Sequence, residues 1–133
     1  MMAASYLKLK RQGQLKARVE KALAMLKSCT LCPRLCRVDR TAGQTGFCRA
    51  GSAARVASFA PHFGEEPQLV GTQGSGTIFF SHCNLQCCFC QNSDISIQAE
   101  GMDASPGQLA SVMLELKKQG CHNINLVTPT HVI

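Results

Sequence analysis

The sequence contains few aromatic residues and no long apolar segment. Tryptophan is absent and Tyr6 is the single tyrosine. No apolar run is long enough to cross a membrane as a helix. The segment 1–10 also lacks the apolar core and small-residue cleavage site of a secretory signal peptide. These absences argue against a membrane or secreted protein, and they predict a cytoplasmic one.

Basic residues are concentrated near the N-terminus. Residues 1–40 contain ten Lys or Arg against Glu20 and Asp39, whereas the rest of the chain contains four against six acidic residues. A basic arm can bind nucleic acid, but Tyr6 is the only aromatic side chain in this segment on which a base could stack. We therefore interpret the segment as a solvated basic helix face, and expect neither a nucleic-acid nor a membrane partner.

The absence of a secretory signal determines how the nine cysteines are interpreted. In a reducing compartment, clustered thiols serve as metal ligands or catalysts more often than as disulfides, and an odd number cannot close into pairs. Eight of the nine fall into two groups: Cys29, Cys32, Cys36 and Cys48, and then Cys83, Cys87, Cys88 and Cys90. Cys121 stands alone and is predicted to lie in the core. Two sites are therefore expected.

The first half of the chain divides into a helix and an irregular segment. Apolar residues recur at three- and four-residue spacing between Gln14 and Lys27, which predicts one face of a helix, so we assign 1–28 to a basic N-terminal helix. Frequent Gly, Pro and Cys between Thr30 and Gly51 predict a loop-rich knot. We assign 29–73 to a cysteine-rich extension that contains this knot.

The segment 74–133 has the pattern of one βαβ unit. A run of β-branched and aromatic residues at 77–80 predicts a buried strand. Ser105 followed by Pro106 predicts the start of a helix, and 123–127 predicts a second strand. Strand, helix and strand in this order imply two parallel strands joined by a right-handed crossover, so the fold class is α/β.

The second cysteine group has the spacing of an iron–sulfur site. Cys83, Cys87 and Cys90 form a Cys-x3-Cys-x2-Cys pattern directly after the first predicted strand of the unit. Three thiolates can bind three irons of a [4Fe-4S] cluster and leave the fourth iron without a protein ligand. An open iron can bind a small molecule, which points to catalysis. Cys88 lies between two ligands and is predicted to face the interior as a small apolar side chain.

The cluster loop resembles that of the radical S-adenosylmethionine superfamily, in which an aromatic residue precedes the third cysteine, as Phe89 does here. The stretch from Gly74 to Asn92 resembles the branch related to pyruvate formate-lyase activating enzyme, and 29–48 resembles the N-terminal extension of that branch. The resemblance implies that 74–133 begins a partial (β/α) barrel, preceded by a helix and a metal-binding knot. A complete barrel needs about 250 residues, so the chain would contain only the first βαβ unit.

The resemblance also implies a reaction. A reduced [4Fe-4S] cluster would cleave S-adenosylmethionine to methionine and a 5′-deoxyadenosyl radical that abstracts hydrogen from a substrate, as in an oxidoreductase or an activase of glycyl-radical enzymes. The substrate is not identified, and a protein is one candidate. An electron donor such as flavodoxin or ferredoxin would reduce the cluster. We expect the 133-residue chain alone to be inactive.

Four residues are expected to contact the cofactor. The resemblance places Phe89 near the adenine side of the cluster, and Asn92 follows the loop closely enough to donate to a cluster sulfur or to S-adenosylmethionine. Activating enzymes of this branch carry a Gly-Gly-Glu element after the second strand, where this chain has Thr128, Pro129, Thr130 and His131. Thr128 and Thr130, or alternatively His131, could supply polar contacts in its place.

The N-terminal group offers four thiolates to one centre. Cys29, Cys32, Cys36 and Cys48 can complete a tetrahedral zinc site or bind an auxiliary iron–sulfur cluster, and the sequence does not choose between them. Two other functions stay open for the whole chain. One is a ferredoxin-like electron carrier with Cys88 as a fourth ligand, and the other is a zinc-dependent nucleic-acid-binding module.

Overall fold

The computed structural model describes residues 5–132, so the ends of the predicted segments at 1–4 and 133 lie outside the described residues. The helices are α1 (Ser5–Arg11), α2 (Gln14–Ala24), α3 (Pro67–Val70), α4 (Ser93–Ser96) and α5 (Pro106–Lys118), and the strands are β1 (Ala54–His62), β2 (Ser75–Phe80), β3 (Met102–Ala104) and β4 (Ile124–Val127). The mixed α/β class predicted from the sequence is confirmed. Over the part of the chain that is described, no helix is long and apolar enough to cross a membrane.

The basic N-terminal helix is broken in two. Gly13 adopts a left-handed conformation (φ 69°) between α1 and α2, which glycine tolerates because it has no Cβ. The apolar face predicted for α2 is largely solvent-exposed, with Val19 and Leu23 each 54% exposed. A groove of about 320 Å³ separates Leu23 and Leu26 from Leu109 of α5. The helical character of this segment was predicted correctly, whereas the break at Gly13 was not predicted.

The knot between Thr30 and Gly51 is irregular, as predicted, apart from a single 3-10 turn at Arg40–Ala42. The Asp39 side chain caps this turn by accepting hydrogen bonds from the backbone N–H groups of Thr41 at 2.8 Å and Ala42 at 3.1 Å. The Thr41 hydroxyl donates to the same carboxylate at 2.6 Å. This bond lowers the pKa of Asp39, although its partial desolvation acts in the opposite direction.

The four strands form one sheet in the order β3-β1-β2-β4. β2 and β4 are parallel and adjacent, with α5 between them in sequence, which confirms the predicted βαβ unit. β1 is antiparallel to both β2 and β3. The sheet therefore includes a strand from 29–73, the segment assigned to the cysteine-rich extension, so the extension and the βαβ unit share a sheet.

The core lies between the sheet and α5. Ile78, Phe80, Leu116 and Cys121 are buried against one another, which confirms the prediction that Cys121 is a core residue. α5 begins as predicted, because the Ser105 hydroxyl accepts from the Gln108 N–H while the Gln108 side chain accepts from the Ser105 N–H. This packing fixes the carboxyl ends of β2 and β4 side by side.

Replacing Gly101 with alanine is expected to lower the free energy of unfolding by about 2–4 kcal/mol. Gly101 has φ 129°, and an added Cβ would lie 2.5 Å from the Val56 carbonyl oxygen and 2.8 Å from the Ser81 hydroxyl. The matched control is Gly51→Ala, because nothing lies within 4 Å of a Cβ at that position. The free energies of unfolding of both variants are measured by urea unfolding in metal-free, reducing buffer and compared. Equal midpoints for the two variants would contradict the close approach of β1 to Gly101.

Candidate functional site

The loop that carries Cys83, Cys87 and Cys90 begins where β2 ends. The Ser81 N–H donates to the Arg55 carbonyl at 2.9 Å, and the His82 N–H donates to the Ile95 carbonyl at 2.9 Å. Two neighbouring segments therefore anchor the entry to the loop. Functional groups on parallel sheets gather at the carboxyl ends of strands, which is where this loop lies.

Each of the three predicted ligands in the cluster loop takes part in a hydrogen bond, through its sulfur atom or through its backbone. Cys83 is buried, and its Sγ accepts from the Leu85 N–H at 3.3 Å. The Cys90 N–H donates to the Cys87 carbonyl at 3.2 Å, which closes a turn between these two cysteines. Cys90 Sγ also lies 3.3 Å from the Ser96 hydroxyl of α4. Hydrogen bonds to sulfur stabilise metal-bound thiolates and tune the potential of iron–sulfur clusters.

The tip of the loop faces solvent. Cys88 is exposed, so the prediction that it faces the interior was wrong. The physical reason is that Cys83 and Asn84 take the buried positions at the base of the loop, which leaves Cys88 at the exposed tip. Leu85 and Phe89 are 66% and 83% exposed. The loop thus presents two apolar side chains beside half-buried Cys87 and Cys90.

The other residues assigned to the cofactor lie on both sides of the loop. Asn92 is exposed at the start of α4, and its side chain makes no capping hydrogen bond. Thr128 follows β4 with φ 59°, a conformation that is a clear outlier for a β-branched residue. Such strain concentrates at functional sites. Thr130 is exposed two residues further on. No described hydrogen bond joins these three side chains to a cysteine, so their roles stay predictions.

His131 connects the ends of the two parallel strands. It is fully buried, and its Nε2 lies 2.9 Å from the Ser81 carbonyl oxygen. A carbonyl only accepts hydrogen bonds, so Nε2 carries the proton. Burial lowers the pKa of His131, the bond to Ser81 opposes this, and the charge of Arg40 lowers it further. Burial likewise lowers the pKa of His82, with His131 and Arg55 contributing. We therefore treat His131 as a neutral structural link between β2 and β4.

The N-terminal cysteines come from neighbouring segments of the knot. The Cys29 N–H donates to the Val38 carbonyl at 2.9 Å, so Cys29 lies beside the segment that carries Cys36. Cys36 Sγ accepts from the Phe47 N–H at 3.4 Å, which places it next to the segment that carries Cys48. Cys29, Cys32 and Cys48 are buried and Cys36 is half-buried.

The knot and the cluster loop contact each other directly. Arg34, between Cys32 and Cys36, donates from Nε to the Asn84 carbonyl at 3.0 Å. Gln86 donates from Nε2 to the Phe47 carbonyl at 2.9 Å. The Arg34 guanidinium also lies over the Phe47 ring, 3.8 Å from its centroid. Sequence analysis missed these contacts, because Arg34 is one of ten basic residues in 1–40 and nothing in the sequence distinguishes it from the others.

The donor atoms suit metal binding, although they are not assembled in the structure. Within residues 5–132, no three His, Cys, Asp or Glu side chains form a group that could hold a metal ion as they stand. All nine cysteines are free thiols. Metal sites commonly form together with the local fold, and the ion itself draws its ligands into place. Cys36 Sγ and Cys83 Sγ each accept a backbone N–H group, which is compatible with metal-bound thiolates, and the two metal centres stay predictions.

Comparison with known proteins gives one relative without an assigned function. The chain is 36% identical over 117 residues to an uncharacterized protein of Methanocaldococcus jannaschii, an alignment that covers 83% of this chain and 33% of the relative. The chain thus spans about a third of the length of the curated relative that it matches. No family model and no solved structure matches the chain.

Proposed function

We propose that the chain is the cluster-binding part of a radical S-adenosylmethionine protein, at the start of a partial (β/α) barrel. The observation that carries the proposal is the position of Cys83, Cys87 and Cys90 in one loop at the carboxyl end of a central strand. The parallel strand β4 ends beside this loop. When bound there, a reduced [4Fe-4S] cluster would supply the electron that cleaves S-adenosylmethionine.

The chain's own residues would hold and shield this chemistry. The Leu85 N–H and the Ser96 hydroxyl lie at hydrogen-bond distance from Cys83 Sγ and Cys90 Sγ, where they would stabilise anionic thiolates. The exposed Leu85 and Phe89 offer apolar surface to an adenosine group, as the resemblance places it. The backbone at Thr128 would direct polar groups at the end of β4 toward the same edge of the sheet.

The substrate and the remaining contacts belong to a larger protein in this proposal. The chain spans about a third of the relative, so groups that grip the adenosine and the substrate would lie on further strands. A glycyl-radical protein is one substrate that the resemblance implies, although the absence of a Gly-Gly-Glu element after β4 argues against it. Flavodoxin or ferredoxin would donate the electron. We further propose a cytoplasmic location, where free thiols persist for metal binding.

A ferredoxin-like electron carrier is the second candidate, and the exposure of Cys88 favours it. An exposed thiol beside Cys87 can reach solvent-side iron and act as a fourth ligand. The cluster would then be closed, and no position would be left for S-adenosylmethionine. The two functions therefore differ in the role of one cysteine.

Replacing Cys88 with alanine tests the proposal. We expect the variant to keep the full iron and sulfide content of the wild type after anaerobic reconstitution, because three ligands suffice for an open-sited cluster. Cys87→Ala is the matched comparison, since it removes a proposed ligand at the adjacent position, and it should lose cluster iron. Loss of iron from Cys88→Ala that equals the loss from Cys87→Ala would favour the electron carrier.

A further inference from the structure

The N-terminal knot contains a buried positive charge without a carboxylate partner. Arg40 is 4% exposed. The salt bridges found within residues 5–132 join Arg55 to Asp103 and His62 to Glu65, and neither involves Arg40. The adjacent Asp39 is engaged in capping the 3-10 turn. Burying an unpaired charge costs several kcal/mol of folding free energy, so we expect an anion beside Arg40.

The contacts of Arg40 point to the cysteines as that anion. Its Nη2 donates to Cys48 Sγ at 3.4 Å, and its Nη1 donates to the carbonyls of His131 at 2.8 Å and Gly51 at 3.5 Å. Its Nε is buried and has no hydrogen-bond partner. Cys48 is the one acidic group among these contacts. A thiol that binds a metal does so as a thiolate, and would supply the missing negative charge.

We propose that Cys29, Cys32, Cys36 and Cys48 form an anionic zinc–thiolate centre with Arg40 as its buried counter-cation, and that Arg40 links this centre to the carboxyl end of β4. Four thiolates around a divalent ion leave a net charge of about −2, which a guanidinium offsets in part. Zinc suits these residues because a tetrahedral site made of four cysteines has no open position and stabilises loop-rich folds.

The link to β4 follows from the second contact of Arg40. Its bond to His131 reaches the strand end that carries Thr128 and Thr130. The His131 ring in turn bonds the Ser81 carbonyl, two residues before Cys83. Zinc in the knot would therefore fix the guanidinium, and the guanidinium would fix His131. This proposal concerns residues outside the cluster loop, and it stands or falls independently of the reaction that the loop serves.

Metal titration isolates the knot when the other cysteine group is removed. The background is the full chain with Cys83, Cys87, Cys88 and Cys90 changed to serine, and the probe is Co²⁺ followed by displacement with Zn²⁺. We expect one Co²⁺ per chain, with the absorption of tetrahedral thiolate coordination. Absence of stoichiometric binding, or a spectrum without thiolate character, would overturn the metal centre.

Two substitutions of Arg40 separate charge from shape. Arg40→Gln removes the charge, and we expect zinc affinity to fall by about 10–100-fold, as is typical for loss of a group that contacts a metal ligand. Arg40→Lys loses the guanidinium fork but keeps the charge, so it should bind zinc more tightly than Arg40→Gln. Arg37→Gln is the control in the same knot, because Arg37 is exposed, and its affinity should match that of the background. Equal affinities for the Lys and Gln variants would contradict the charge-balancing role.

Nuclear magnetic resonance of the His131 ring tests the link. We expect the His131 Cε1–H signal to shift when zinc is added to the background protein, and to shift less in Arg40→Gln at saturating zinc. His122, which is exposed, serves as the internal reference because no described contact joins it to the knot. If the chemical shift of the His131 signal does not change when zinc is added to the background protein, the proposed link between the knot and His131 is refuted, whether or not the knot binds metal.

Discussion

Changing Cys83, Cys87 and Cys90 together to alanine is expected to remove one complete cluster, about four irons and four sulfides per chain. These thiols are the proposed protein ligands of that cluster, so nothing in the loop except Cys88 would be left to bind iron. The measurement is iron and acid-labile sulfide per chain after anaerobic reconstitution. The visible absorption that arises from sulfur-to-iron charge transfer should fall in parallel with the iron content.

Two controls make this loss specific. Cys88→Ala alters the same loop and should keep the cluster. Far-ultraviolet circular dichroism of the triple variant should match the wild type, because Cys87 and Cys90 are only half-buried and Cys83, although buried, lies outside the main core cluster. Full retention of iron in a folded triple variant would show that the loop is not the cluster site.

The elements that local sequence determines were predicted well. The start of α5 depends on Ser105, Pro106 and Gln108, which lie within four consecutive positions and satisfy the first N–H groups of the helix. Residues 77–80 of β2 are β-branched or aromatic and suit a buried strand between two neighbours. These signals need no knowledge of distant contacts.

β1 was missed because distant partners stabilise it. Its sequence is mostly small or polar, with only Val56 and Phe59 as large apolar residues, and it includes Pro61, which cannot donate a ladder hydrogen bond. The structure tolerates this proline because β3 pairs only with Ala54–Val56 and leaves the far half of β1 at an open edge of the sheet. Pairing of β1 with β2 depends on residues about twenty positions away, which a single sequence does not reveal.

The cysteines of the candidate site could be selected from the sequence, whereas the contacts that connect them to the rest of the fold could not, and their role as ligands stays a prediction. Cysteine spacing along the chain identified both groups, because ligands of one centre recur within short loops. The bond between Arg40 and His131 joins residues 91 positions apart, and the bond between Arg34 and Asn84 spans 50. Cys88 was placed wrongly because the spacing says nothing about which side of a loop faces solvent.

The measurement that tests the central claim most directly is electron paramagnetic resonance of the reduced cluster with and without S-adenosylmethionine. Three protein thiolates leave one iron that the amino and carboxylate groups of the cofactor can chelate, so binding must change the spectrum. We expect this change in the chain and in Cys88→Ala. The spectrum of this chain should change only at higher S-adenosylmethionine concentrations than that of a longer protein, because further strands would bind the adenosine group.

A titration in which the spectrum changes equally in both proteins is the predicted result. The contradictory result is a wild-type spectrum that stays the same up to the solubility limit of S-adenosylmethionine, together with loss of the cluster in Cys88→Ala. That outcome would mean a closed cluster with Cys88 as its fourth ligand, and the chain would be an electron carrier.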